Sequence, residues 1–201
     1  MDRRKALKNI GISFGTITLT PSVVGLMQSC QSKPEGWMPS QFSTHQFEIL
    51  SQLMDLIIPP TDIPGAIELQ LPQFLDGFVG VIMNDKAKNR LISGLDQLIK
   101  SALNDSGKSN VSELIKGDLD KQLLKYLRAE KQTVKTWEKD MQSIQAKAYA
   151  FAVQLRSLTI NAFKTNEYIG ENVLAYVPIP GEQKGCIDLM EATGGKAYSP
   201  L

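Results

Sequence analysis

The sequence predicts an all-α protein: a helical bundle with one long C-terminal helix and an irregular C-terminal tail, preceded by an export signal. Apolar residues recur three and four positions apart along most of the chain after residue 42, as on one face of a helix. No convincing alternation of apolar and polar residues, the pattern of a half-buried strand, is found. A length of 201 residues, 42% of them hydrophobic, suits one domain with a sizeable core.

Composition excludes several kinds of function. One histidine, His45, and two cysteines are too few for a His/Cys zinc site, a CxxCH haem attachment or a cysteine-ligated iron–sulfur cluster. No glycine-rich dinucleotide or phosphate-binding loop follows a strand-like segment. The first 29 residues hold four basic side chains and one acidic one, so the remainder is mildly acidic. Nucleic acid is therefore not an expected partner, because its phosphates need a clustered basic surface.

Residues 1–29 have the pattern of an export signal. A basic start is followed by the stretch Asn9–Ser32, which is uncharged and apolar in bulk, with a small residue before Cys30. A single membrane-spanning helix is the alternative interpretation. Such a helix needs roughly 20 predominantly apolar residues, and Pro21 with several Gly, Ser and Thr residues makes this stretch a poor permanent anchor.

The start of this signal resembles the twin-arginine translocation motif. The matching positions are Arg3, Arg4, Leu7 and Lys8. Ala6 stands where the motif usually has phenylalanine. The modest hydrophobicity of the stretch that follows favours this route over general secretion, which is the alternative.

The segment Leu26–Cys30 resembles a lipobox, in which cleavage before the cysteine leaves Cys30 at the new N-terminus for acylation. We therefore expect the protein at the periplasmic face of the membrane, held there by a lipid anchor. The alternatives are an ordinary Cys30 thiol in a processed peptide and a disulfide with Cys186 in an oxidising compartment.

Residues 30–41 have the composition of a tether, and the folded domain is expected over residues 42–201. Ser43 and Gln46 form a capping-box pattern that predicts a helix start. The apolar period continues to Ile57, and Pro59 with Pro60 ends the helix.

Pro72 suits the first position of a second helix, which continues to Met83. A third helix is expected over Lys86–Leu103, where residues 104–107 break it. Two short amphipathic segments follow, at Val111–Ile115 and Leu119–Leu127.

The longest helix is expected from about Thr136 to Lys164, followed from Tyr168 by an irregular tail that wraps the bundle. Its apolar stripe alternates spacings of four and three, through Trp137, Met141, Ile144, Ala148, Phe151, Leu155, Leu158 and Ala162. Such a stripe is typical of a helix packed into a bundle, and an intermolecular coiled coil is the alternative.

The segment Pro59–Ala66 predicts a rigid corner between two helices. Pro64 and Gly65 fit the central positions of a type II turn, in which glycine supplies a positive φ. Thr61 or Asp62 is predicted to cap the turn that follows.

His45 is expected near solvent in the first turn of the first helix. A lone histidine without a nucleophile or an orienting acid is more often structural than catalytic. Asp55 and Asp62 form a conceivable carboxylate pair, but nothing in their spacing recommends it.

The corner also carries a family resemblance. The stretch Asp55–Ala66, preceded by a capped helix, is similar to the signature of the gluconate 2-dehydrogenase subunit 3 family, although Ile63 stands where that motif commonly has threonine. The segments Leu155–Phe163, Tyr168–Gly170 and Tyr176–Gly181 are similar to the closing region of the same family. The resemblance covers nearly all of the chain from about residue 43 to residue 186.

The resemblance implies a non-catalytic small subunit of a periplasm-facing, FAD-dependent dehydrogenase of sugars, polyols or gluconate. A large subunit of the GMC type would hold FAD, a cytochrome c subunit with haem c would take the electrons, and the small subunit would escort the flavoprotein through twin-arginine export. The resemblance carries no catalytic, cofactor-binding or metal-binding residue onto this chain. The candidates for a structural corner or a subunit contact are Asp55, Pro59, Thr61, Asp62, Pro64, Gly65 and Ala66.

Two other functions remain open. The first is a free-standing helical lipoprotein that binds a small ligand between its helices. The second is an enzyme that uses His45 or the carboxylates. Exposed surface separates the subunit from the free-standing protein, because an obligate partner needs a contiguous apolar patch that a free-standing module hides.

Overall fold

The computed structural model describes residues 37–179, 181 and 185–200. The predicted export signal, with Arg3, Arg4, Leu7 and Lys8, and the predicted lipidation site Cys30 lie outside the described residues. The chain divides into two units, Met1–Met38 and Pro39–Leu201. Only residues 37 and 38 of the first unit are described, and both side chains are exposed.

The second unit is helical, which confirms the predicted all-α class. The α-helices are α1 (Thr44–Ile57), α2 (Leu71–Val81), α3 (Asp85–Ser106), α4 (Lys116–Leu127), α5 (Lys131–Glu138), α6 (Ile144–Lys164) and α7 (Leu189–Thr193). A 3₁₀ turn at Val111–Glu113 and a single π-helical turn at Ile169–Val173 accompany them. The described residues contain no strand, only an isolated bridge between Ala175 and Tyr198. None of the described helices combines the length and the hydropathy that a membrane span requires.

Helices α1 and α3 begin where a side chain satisfies one of their free N–H groups. Ser43 accepts a hydrogen bond from the Gln46 N–H, and the Gln46 side chain accepts one from the Ser43 N–H, so the predicted capping box is formed. Asn84 caps α3 with a single bond, which its Oδ1 accepts from the Ala87 N–H. At the other end of α3, Gly107 adopts a left-handed conformation that ends the helix.

The core lies between α3 and α6, which make the most extensive helix–helix contact in the domain. The two helices approach closely at Gly94, where a Cβ atom would lie 2.7 Å from the Cβ of Phe151. Helices α1, α2 and α4 pack around this pair. The largest fully buried side chains are Leu50, Leu53, Met54, Leu71, Leu75, Leu91, Leu95, Leu98, Leu119, Tyr126, Phe151 and Leu155.

The long C-terminal helix begins later than the sequence predicts. Helix α5 ends at Glu138, and residues 139–143 turn before α6 begins. Asp140 Oδ1 accepts a hydrogen bond from the Gln142 N–H at 3.0 Å, and Ser143 Oγ accepts one from the Ala146 N–H at 3.2 Å. Hydrogen bonds between a side chain and a backbone N–H two or three residues later compete with the backbone hydrogen bonds of a helix. They break the helix that the sequence predicts to be continuous.

Of the predicted apolar stripe, only the residues from Ile144 onward lie on one helix. Trp137, on α5, packs its ring against Tyr126 and Tyr149, with centroids 5.3 and 5.8 Å apart. Met141 lies in the turn and is exposed. The prediction of one continuous helix from Thr136 is therefore wrong, because residues 136–138 belong to α5 and the long helix begins at Ile144.

The C-terminal tail has more order than the sequence predicts. After the π-helical turn, Ala175 donates a hydrogen bond to the Ala197 carbonyl at 2.8 Å, and its own carbonyl accepts one from the Ser199 N–H. Between these points lies α7, whose start is capped by Asp188. The tail is thus tied back on itself.

A carboxylate links the loop after α3 to the start of α4. Asp118 accepts a hydrogen bond from Lys108 Nζ at 2.6 Å and one from the Ile115 N–H at 3.2 Å. The bond from Lys108, followed by that from Ile115, holds the pKa of Asp118 below its ordinary value of 3.8, against the opposing effect of burial.

We expect Asp118→Asn to lower the free energy of unfolding at neutral pH and to make little difference in acid. A depressed folded-state pKa contributes stability above the unfolded value, and this stability is lost as the pH falls through the folded value. Urea unfolding of both proteins at about pH 7 and about pH 2 measures the effect. An equal difference at both pH values would contradict the assignment. Asp120→Asn, an exposed carboxylate on α4, is the control.

Candidate interaction site

The corner between α1 and α2 is closed by backbone hydrogen bonds. The Ala66 N–H donates to the Ile58 carbonyl at 2.9 Å, which brings the two ends of the corner together. Within it, the Thr61 N–H donates to the Ile63 carbonyl, and Thr61 Oγ1 accepts from the Ile63 N–H at 3.2 Å. Thr61 therefore holds the local turn, as one of the two predicted capping residues.

Gly65 is required for space rather than for a positive φ. Its φ is not among the positive values of the described glycines, so the predicted type II turn is wrong. A Cβ at this position would lie 2.5 Å from the backbone nitrogen of Pro60 and 2.9 Å from the carbonyl carbon of Pro59. The chain crosses itself here so closely that no side chain fits.

The other predicted corner residues have different environments. Asp55 accepts a hydrogen bond from Lys116 Nζ, which ties α1 to the start of α4. Pro59 and Asp62 are exposed, and Ala66 is fully buried in the core. Asp55 and Ala66 therefore contribute to the packing of the domain.

We expect Gly65→Ala to destabilise the protein by about 2 kcal/mol, because overpacking against backbone atoms cannot be relieved by a side-chain rotation. Thermal or urea unfolding followed by far-UV circular dichroism measures the change. Gly117→Ala, in the first turn of α4 with no atom within 4 Å of the added Cβ, is the matched control and should not destabilise. A Gly65→Ala protein as stable as that control would show that the corner opens freely.

Pro64 lines a groove that joins the two regions of the family resemblance. The groove has a volume of about 780 Å³ and lies between residues 64 and 68–70 on one side and residues 166–168, 171 and 172 on the other. Its second wall includes the π-helical turn, a feature that is frequent at functional sites. Gln70, on the first wall, has a left-handed backbone with φ of 54°.

Among the described residues, the charged side chains that line the groove are all acidic. They are Glu68, Glu167 and Glu171. Glu68 accepts a hydrogen bond from the Gly65 N–H at 2.9 Å. The described residues contain no group of three His, Cys, Asp or Glu side chains placed to hold a metal ion. The acidic lining of the groove suits contact with a basic surface.

Helix α2 continues from this groove with an exposed face that carries no charge. Phe74 is 54% exposed, Val81 83% and Ile82 65%, and Phe78 stacks on Phe74 with ring centroids 6.2 Å apart. The one ionisable residue of α2, Asp76, is fully buried on the opposite side. A helix that is apolar on all sides is normally covered on all sides.

This exposed face is not evident from the apolar pattern of the sequence. The signal was available in the sequence of α2, where eleven residues include only one charged side chain. The period of its apolar residues fits a helix but does not say which of two apolar faces meets the core.

The remaining sequence candidates lie apart from this surface. His45 is exposed, as predicted, and its Nδ1 lies 3.6 Å from Glu48 Oε2. Cys186 is exposed. Neither residue lines the groove.

Comparison with known proteins gives one result that bears on identity. The family model described as gluconate 2-dehydrogenase subunit 3 matches residues 44–181, from the first residue of α1 through the corner, the groove and the start of the tail. No curated protein and no solved structure gives a significant match.

Proposed function

The chain belongs to the gluconate 2-dehydrogenase subunit 3 family, and on that premise we propose that it is the non-catalytic small subunit of a periplasm-facing, FAD-dependent dehydrogenase. The substrates of the complex are sugars, polyols or gluconate. The small subunit escorts the flavoprotein through twin-arginine export and then stabilises it or anchors it at the membrane.

The observation that carries this proposal is the uncharged, exposed face of α2. Burial stabilises a protein by about 25 cal/mol for each Å² of apolar surface removed from water, and an exposed apolar side chain lacks this stabilisation. A contiguous apolar face on a small domain therefore indicates a surface that another protein covers.

The roles of the other subunits are consistent with the remaining features of this chain. FAD belongs to the large subunit and haem c to a cytochrome subunit, so this chain needs no cofactor site of its own. The twin-arginine-like segment at Arg3 and Arg4 suits a carrier for folded cargo, and the lipobox-like segment at Cys30 suits an anchor.

The second candidate is a free-standing helical lipoprotein that binds a small ligand. One observation favours it: a cavity of about 540 Å³ between α3 and α6, whose lining includes Arg90, Lys147 and Phe151. The exposed face of α2 argues against it, because a free-standing protein gains nothing from that face.

The test is a pull-down of the tagged full-length protein from its native membranes in mild detergent. An eluate with flavin absorption and a larger co-eluting chain is the expected result. An Arg3→Lys/Arg4→Lys variant should then leave that larger chain unexported. A colourless eluate that contains this chain alone would contradict the proposal and favour the free-standing lipoprotein.

A further inference from the structure

We propose that the uncharged face of α2 is the surface that binds the flavoprotein, and that the matching flavoprotein surface is apolar with an arginine or lysine beside the groove. This inference rests on the proposed function and adds to it the position of the contact and the chemistry of the partner. The contact surface comprises Gln70, Phe74, Phe78, Val81 and Ile82, here called the docking strip.

Helical geometry makes the docking strip continuous. Successive members lie four, four, three and one residues apart, so they follow one side of the helix. The Phe74 N–H donates to the Gln70 carbonyl at 3.1 Å, which joins the helix directly to the groove residue. At about 1.5 Å per residue the strip is about 18 Å long, which is long enough for the centre of a specific interface.

The partner's apolar character follows from the centre of the strip. Phe74, Val81 and Ile82 are all more than half exposed, and no charged side chain of α2 lies among them. Asp76 cannot supply one, because both its carboxylate oxygens accept hydrogen bonds from Ser40 and Gln41. Large apolar side chains at the centre of an interface contribute most of its binding energy.

The partner's basic character follows from the charges beside the strip. Residues 37–85 include no lysine or arginine, and the groove that meets the strip at Gln70 has Glu68 in its lining. The groove adds Glu167 and Glu171, which lie four residues apart on one side of the chain. Like charges at this spacing repel, and an incoming cation relieves the repulsion.

Arginine fits the groove better than lysine. Its planar guanidinium can bond a carboxylate with two N–H groups and can stack on an aromatic ring. Tyr168 supplies such a ring beside Glu167, and it is 49% exposed. Asn166 and Asn172 supply further acceptors on the same wall.

A membrane surface is the other class of partner that an exposed apolar helix fits, and the charges disfavour it. Anionic lipids attract lysine and arginine and repel carboxylates. The acidic side chains next to the strip therefore favour a protein partner with basic residues.

The apolar part of the proposal is tested with Val81→Ser/Ile82→Ser in the full-length chain. The purified flavoprotein should bind this variant about 100-fold more weakly than the wild type, measured by biolayer interferometry. Leu124→Ser/Val153→Ser, which replaces two exposed apolar residues away from α2, is the matched control and should bind normally. Far-UV circular dichroism of both variants shows that they fold.

The basic part is tested with Glu167→Lys/Glu171→Lys. We expect about tenfold weaker binding and a flatter dependence on salt, because the complementary charge is reversed. Glu167→Gln/Glu171→Gln should have a smaller effect. Glu130→Lys/Glu138→Lys, at the two ends of α5, is the control for net charge and should bind as the wild type does.

The outcomes separate the two proposals. A wild-type chain that binds no flavoprotein overturns the proposed function and this inference with it. A flavoprotein that binds the wild type and the serine variant equally overturns only the position of the contact. Unchanged binding by the lysine variant overturns only the basic character of the partner. Flotation with vesicles of phosphatidylethanolamine and phosphatidylglycerol that depends on Val81 and Ile82 overturns the choice of a protein partner.

Discussion

Asp76→Ala is expected to lower the free energy of unfolding by about 2–3 kcal/mol, because it removes a buried carboxylate that accepts three hydrogen bonds. Asp76 is fully buried, and its Oδ2 accepts hydrogen bonds from the Ser40 N–H and hydroxyl at 2.9 and 3.0 Å. Its Oδ1 accepts one from the Gln41 N–H at 2.9 Å. Alanine leaves these donors without an acceptor and releases the segment that precedes α1.

Urea unfolding measures the loss, and two further variants define its cause. Asp76→Asn should lose nearly as much, because an amide NH₂ in place of one carboxylate oxygen faces N–H donors. Asp62→Ala, in the exposed part of the corner, should change stability by less than about 0.5 kcal/mol. An Asp76→Ala protein with the stability of Asp62→Ala would show that these hydrogen bonds contribute nothing.

Tyr126→Ala is also expected to lower the free energy of unfolding, by about 3–5 kcal/mol. The Tyr126 ring is almost fully buried and meets Trp137 edge-to-face. Its hydroxyl lies 2.7 Å from Ser101 Oγ, which also donates to Gln122 Oε1 at 3.0 Å. The substitution leaves a cavity between α3 and α4 and removes one partner of a buried polar network.

Tyr126→Phe separates the two contributions. It keeps the ring and removes only the hydroxyl, so we expect a loss of about 1 kcal/mol. Tyr168→Ala is the control, because the same truncation at a half-exposed position should be nearly neutral. Thermal unfolding of the three variants ranks them by their loss of stability. A Tyr126→Ala protein that unfolds with the wild type would contradict the description of this core.

Local features were the most predictable part of the fold. The start of α1 follows from Ser43 and Gln46, and its end follows from Pro59, because each acts on residues only a few positions away. The same holds for Pro72 at the start of α2, whereas α3 continues three residues past the predicted end at Leu103 and stops at Gly107.

Two local predictions failed for physical reasons. The helix expected from Thr136 has the correct period, but it is interrupted where Asp140 and Ser143 accept hydrogen bonds from the backbone N–H groups of Gln142 and Ala146. The sequence suggests that Gly65 supplies a positive φ, whereas it is the close approach of Pro60 that makes glycine necessary. A close approach between chain segments leaves no mark in the residue pattern.

The candidate site was predictable only in part. The corner and the closing region were both singled out, but they are about 100 residues apart, and periodicity does not show that they form one groove. The outer face of α2 was missed because Phe74 and Ile82 have the spacing of core residues. Only the packing of Leu75 and Val79 into the core shows which face is left outside.

Site-specific crosslinking at the docking strip tests the central claim most directly. A photoreactive phenylalanine analogue at position 81 of the full-length chain, co-expressed with the flavoprotein, should give a crosslinked product that contains flavin and the large subunit. The same analogue at position 132, on the exposed part of α5, should give none. Crosslinking from position 132 and not from position 81 would contradict the assignment of α2 as the subunit contact.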